Sequence, residues 1–178
     1  MRIYFIGSHS TGKTTLARYT SNKKQLPLLT EVARTILAEK ELQVDALRAD
    51  LNVVNDYQKE VFFRQLAEEK KHKDFVSDRS FDCLAYTAQH STILGDMLRT
   101  NELKEYIESL KDPDVKIFFV RPSKATLKVD GVRENLLWDG VTAIDAMCKF
   151  MLEMFSLSYI QINTDSMQER VRLIESAL

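Results

Sequence analysis

A chain of 178 residues whose 25 basic and 26 acidic side chains leave a formal net charge of −1 has no global pull toward nucleic acid or an anionic membrane, although local fields survive inside a neutral total. Its length suits one domain, and 44% hydrophobic with 29% charged residues is the balance of an ordinary globular core and surface. Cys83 and Cys148 are too few and too far apart for a disulfide framework or a paired ligand set, so a reducing, cytoplasmic setting is expected.

The first apolar run, Ile3 to Ile6, is too short for a signal peptide or a membrane span, and no later stretch reaches spanning length. The expectation is a soluble protein without a membrane partner. Ile3-Tyr4-Phe5-Ile6, closed by Gly7, fits a strand buried on both faces, as in a parallel sheet. A helix is expected from Thr14 to Tyr19, a strand at 26–29 started or edged by Pro27, and a helix from Glu31 to about Lys40. From Asp50 to about Lys73 there is no Gly or Pro, and Leu51, Val54, Tyr57, Val61, Phe62 and Leu66 recur at helical spacing.

Phe75-Val76-Ser77 reads as a brief strand, followed by helices over 81–89 and 101–110. Pro113 ends the second of these, and Val115 to Val120 is a clear strand. The polar stretch 121–139 reads as a mobile lid, 143–155 as helix, 159–162 as strand and 167–178 as a closing helix. Strands alternating with helices predict an α/β fold with a parallel sheet covered on both faces, in a single domain spanning 1–178.

One motif carries most of the chemistry. Gly7-Ser8-His9-Ser10-Thr11-Gly12-Lys13-Thr14 matches G-x-x-x-x-G-K-[ST], after a strand and before a helix. Gly7 and Gly12 permit backbone angles and close approach that a side chain would obstruct. Successive amides from Gly7 through Thr15 and the positive end of the following helix can then bind phosphate oxygens. Lys13 can place a point charge on the β/γ-phosphates, and the Thr14 hydroxyl can ligate magnesium. His9 and Ser10 fill variable positions as spacers.

Three further groups bear on where the phosphate goes. Asp78-Arg79, with Asp82 and Tyr86 one helical turn apart, follows a strand, where groups in open α/β sheets converge. There Asp78 can serve magnesium and Arg79 can offset phosphoryl charge. Glu31 and Arg34, also one turn apart, offer a proton acceptor and an anion-holding cation. Asp130-Gly131-Val132-Arg133 lies in the polar segment, where an arginine can swing onto phosphates, with Arg121 and Lys124 as nearby basic candidates.

Taken in order, these groups resemble the small P-loop kinases that include the ribosylnicotinamide kinase domain and, more distantly, the thymidylate and deoxynucleoside kinases, grouped with AAA-type P-loop ATPases and kinases. The resemblance covers roughly Met1 to Phe155 and rests most on Asp78-Arg79-Ser80-Phe81-Asp82-Cys83-Leu84-Ala85-Tyr86 and on Asp130-Gly131-x-Arg133. It implies a three-layer P-loop NTPase fold with five parallel strands, ATP with Mg2+, and a small-molecule nucleoside or nucleotide acceptor. It also implies roles: Lys13, Arg79 and Arg133 on the transferring phosphoryl, Thr14 and Asp78 on magnesium, Glu31 on the acceptor. Arg34, Gln58, Asp82 and Tyr86 would line the acceptor side. Val32 after Glu31, where a thymidylate kinase has proline, and the tryptophan-free approach Ala125 to Val129 leave the acceptor open. Two other readings keep the loop: a kinase acting on a polynucleotide or modified base in DNA, and a nucleotide-hydrolysing switch. Lys23-Lys24 and Lys70-Lys71-His72-Lys73 offer only weak material for a nucleic-acid groove. The oligomeric state stays open, a homodimer included.

Overall fold

The protein is described by a computed structural model that covers residues 1–30, 32–40, 49–124 and 138–178. Its described elements are β1 (Arg2–Ile6), α1 (Lys13–Lys24), β2 (Leu28–Leu29), α2 (Val32–Glu39), α3 (Leu51–Glu69) and β3 (Phe75–Ser77). They continue with α4 (Cys83–His90), α5 (Leu94–Met97), α6 (Asn101–Ser109), β4 (Val115–Val120), α7 (Trp138–Met154), β5 (Ile160–Ile162) and α8 (Met167–Ala177).

The five strands form one sheet in the order β2-β3-β1-β4-β5. Every pairing is parallel: Arg2 faces Phe75 and Val115, Leu28 faces Val76, and Phe118 faces Ile160. The reason lies in the side chains of β1. Ile3 and Phe5 pack on one face with Leu16 and Ala17 of α1 and Ile174 of α8. Tyr4 and Ile6 pack on the other, with residues of α2, α3, α4, α6 and α7. A strand buried on both faces needs a continuous apolar run rather than alternation. The result is three layers, helix–sheet–helix.

Helix starts follow local chemistry. Asp50 caps α3 by accepting from Asn52 N at 2.8 Å, and Thr100 caps α6 by accepting from Leu103 N at 3.3 Å. Two features depart from the sequence reading. The four-residue α5 was not anticipated, and α7 begins at Trp138 rather than Ala143, inside the stretch read as lid. Residues 125–137 of that stretch lie outside the described residues. Among the described residues, no helix is long and apolar enough to cross a membrane.

Candidate active site

The carboxyl ends of β1 and β3 bring the site together. After Ile6 the backbone turns at Gly7 with φ 132°, and a Cβ there would stand 2.4 Å from the Val120 carbonyl oxygen at the end of β4. No side chain fits that approach, so glycine is required by space as well as by angle. Gly12 has φ 90° and opens α1, its carbonyl accepting from Thr15 N at 3.1 Å and Leu16 N at 3.2 Å. Between them the loop folds on itself. Thr11 Oγ1 donates to Ser8 O at 3.1 Å, and the Lys13 ammonium, 4% exposed, donates to Ser8 O at 2.5 Å and Thr11 Oγ1 at 3.4 Å.

Beside it stands the Asp78-Arg79 segment. Asp78 is held at the end of β3 by donation from its backbone N to Leu29 O at 3.0 Å. Its Oδ2 accepts the Thr14 hydroxyl at 2.5 Å, whereas its Oδ1 is buried with no hydrogen-bond partner among the described residues. A buried carboxylate oxygen left unsatisfied is costly and points to a missing ligand. With the Thr14 hydroxyl it offers hard oxygens to Mg2+, which commonly takes one or two protein ligands beside phosphates and water. The residues present therefore fit that ion.

Arg79 adopts φ 147°, a conformation that a non-glycine residue holds only when its surroundings enforce it. Its Nη1 donates to Gly7 O at 3.0 Å, Asp82 Oδ2 at 3.0 Å and Tyr86 Oη at 3.5 Å, and its guanidinium lies 5.4 Å from the Tyr86 ring centroid. Asp82, fully buried, also accepts from Gly7 N at 3.4 Å and Ser80 N at 2.7 Å. Both backbone polar groups of Gly7 are thus bonded to this arginine–aspartate pair. His9 Nδ1 is 3.1 Å from the Tyr86 hydroxyl, which joins the phosphate loop to α4 a second time.

The remaining expected residues divide. Arg34 is exposed on α2. Gln58 is buried between helices, accepting from Thr87 Oγ1 at 3.3 Å, so its observed contact holds α3 to α4. Asp82, expected on the acceptor side, has contacts within the loop framework. Arg121, expected as a basic lid candidate, is paired with buried Asp145 at 2.6 Å and lies over Phe119, while Lys124 lies over Trp138. Glu31, Asp130, Gly131 and Arg133 lie outside the described residues.

Two polar centres beside the site escaped the sequence reading. Glu69, 6% exposed, accepts from Tyr4 Oη at 2.8 Å, Tyr106 Oη at 2.9 Å and Gln65 Nε2 at 2.8 Å. Tyr106 also contacts Ser80 Oγ at 2.8 Å, and Gln65 donates to Ser77 Oγ at 3.1 Å, so this network grips both residues that flank Asp78 and Arg79. Burial pushes the Glu69 carboxyl above the usual range, opposed by those three donors. Its signal was present: Glu69 falls three residues after Leu66, on the apolar stripe of α3. The second centre, Arg170 of α8, is 2% exposed and donates to Thr11 O at 2.6 Å and Thr164 O at 2.6 Å. Nothing in the local pattern of α8 distinguishes it from a surface cation.

This architecture recurs among solved structures. A deoxyadenosine kinase from M. mycoides with products dCMP and dCDP bound superposes with TM-score 0.67 at 15% identity, over 99% of this chain and 98% of that one. The NadR protein in complex with NR gives TM-score 0.73 at 16% identity; 98% of this chain matches half, 50%, of that longer one. Shikimate kinase from Acinetobacter baumannii, in complex with shikimate, gives 0.57 at 14% identity, over 99% and 93%. At these identities the likeness establishes the fold alone, five parallel strands between two helix layers. No curated protein matches the chain. The family model described as an AAA domain matches residues 2–170, and with the phosphate loop built as above the chain belongs to that AAA-domain family.

Proposed function

We propose that the protein is an ATP- and Mg2+-dependent phosphotransferase that moves a γ-phosphoryl group to a nucleoside or nucleotide. The observation that carries this reading is the Thr14–Asp78 pair beside a lysine-bearing phosphate loop, with the buried Asp78 Oδ1 lacking a partner among the described residues. Support comes from neighbours described as a deoxyadenosine kinase with dCMP and dCDP bound and a shikimate kinase, and from the NadR protein in complex with NR.

In the reaction, an acceptor oxygen, a nucleoside hydroxyl or a nucleotide phosphate, forms a bond to the γ-phosphorus as the bond to the β–γ bridging oxygen breaks, leaving its electron pair on ADP. Where the acceptor is a hydroxyl, Glu31 takes its proton. Loop amides and Lys13 hold the β- and γ-phosphates and stabilise charge on the bridging oxygen. Arg79, held at Gly7, and Arg133 neutralise the phosphoryl oxygens. Thr14 and Asp78 would hold Mg2+, which would supply charge neutralisation to the phosphates. Asp82 acts as a positioning residue, fixing Arg79 and the Gly7 amide. Tyr86 and Arg34 face the acceptor.

The test is product formation from ATP and Mg2+ with a panel of nucleosides, nucleoside monophosphates and ribosylnicotinamide. A phosphorylated member of the panel is expected. ADP release that requires DNA would favour the polynucleotide reading, and acceptor-free hydrolysis stimulated by a protein would favour the switch.

A further inference from the structure

The buried guanidinium of Arg170 reaches the back of the phosphate loop from α8. Its Nη1 donates to the Thr11 carbonyl at 2.6 Å, and its Nε donates to the Thr164 carbonyl, just after β5, at 2.6 Å. Asp165 is the facing carboxylate, 3.9 Å from Nη2 and half exposed at 55%. A Cβ at Gly12 would lie 3.2 Å from Nη1, so the guanidinium packs directly under that glycine.

Peptide geometry turns this contact into a directional effect. The Thr11 carbonyl and the Gly12 N–H belong to one planar trans unit and point in opposite directions. Holding the carbonyl toward α8 therefore aims the Gly12 N–H away from α8. The same cation keeps a positive charge in a poorly solvated place, where its field on a nearby anion is screened less than at a surface.

We propose that Arg170 is a positioning residue for the phosphate loop: by bridging Thr11 and Thr164 it fixes the Thr11–Gly12 peptide with its N–H facing the polyphosphate, and ties that peptide to the segment after β5. This rests on the phosphotransferase reading. Lysine cannot replace the arrangement, because a single ammonium lacks the planar fork that reaches two carbonyls at once.

The experiment is calorimetric titration of the full chain with inorganic tripolyphosphate, alongside thermal unfolding, for the native protein, Arg170→Met and Arg170→Lys. Arg170→Met is expected to bind tripolyphosphate about ten- to a hundredfold more weakly at temperatures where it is folded, the range for one lost charge-assisted hydrogen bond. Arg170→Lys should fall between it and the native protein. A purely structural arginine would lower the unfolding temperature and leave affinity untouched; native affinity in folded Arg170→Met overturns the proposal. If the methionine variant does not fold, the lysine variant decides: reduced affinity supports the bridge, and native affinity overturns it. A native protein that binds neither tripolyphosphate nor ATP removes the phosphotransferase reading itself, and the bridge with it. Equal binding by native and variant chains removes the bridge alone.

Discussion

The Thr14 hydroxyl donates to Oδ2 of Asp78 at 2.5 Å, joining the first turn of α1 to the end of β3 across 64 residues of sequence. That pair makes the proposed metal requirement testable at one atom. Asp78→Asn keeps the shape but replaces one carboxylate oxygen with a donor. It should lower turnover at least about a hundredfold, the scale of losing a preorganised electrostatic group, and raise the Mg2+ concentration needed for half-maximal rate. An unchanged Mg2+ dependence would remove Asp78 from the metal site.

Lys13→Ala should abolish turnover, because the ammonium is the cation built into the phosphate loop itself, 4% exposed and bonded to Ser8 O. Arg133→Ala should lower kcat by orders of magnitude while the chain stays folded. Steady-state kinetics beside urea unfolding separates the two effects, and near-native kcat in either variant contradicts the assigned role.

Asp82→Ala strips the buried carboxylate from Arg79, Gly7 N and Ser80 N together. Breaking a buried pair while leaving its partner costs about 3–5 kcal/mol, so a clear drop in the urea midpoint is expected. Arg79 would also lose the restraint on its φ of 147°, and activity should fall further than the stability loss accounts for. A stability change below about 1 kcal/mol, the worth of one ordinary hydrogen bond, would show that the pair matters little.

Glu69 predicts a pH dependence with a definite sign. Burial raises its folded pKa above the unfolded value, so its contribution to stability is full below the unfolded pKa and is lost as pH rises through the folded pKa. The groups facing it are Tyr4, Tyr106 and Gln65 by hydrogen bond and Arg2 by charge. Glu69→Gln does not titrate. The unfolding free energy of the variant minus that of the native protein should therefore increase as pH rises from the carboxylate range, measured by urea unfolding at a series of pH values. A difference that decreases with pH contradicts the assignment.

Much of the fold was legible because its signals are local. Ile3 to Ile6 and Val115 to Val120 are apolar without interruption because both faces of those strands are covered. The loop from Gly7 to Thr14 was legible because its glycines answer to backbone geometry, as the 2.4 Å approach to Val120 O makes plain. The four residues of α5 are too few for a period to register, and Gly140 in the first turn of α7 made a helix start resemble loop. Gln58 looked like a ligand-facing amide, but its contact is Thr87, set by how α3 meets α4. Arg170 and Glu69 were illegible as partners for another reason. Their acceptors and donors, Thr11 and Tyr4, come from the opposite end of the chain or from another layer, and no spacing rule reaches that far.

Because β1 sits in the middle of the sheet, it has partners on both sides that arrive much later in synthesis: Phe75 from β3, then Val115 from β4. Pairings so distant in sequence close slowly, since loop entropy is lost before contacts compensate for it. A ribosome emitting this chain therefore releases Gly7 early but cannot set it until Val120, whose carbonyl limits the space around it, has followed. The phosphate loop thus leaves the ribosome well before the strand that walls it, and a chain cut short before β4 would carry the whole motif on a strand paired along one edge only.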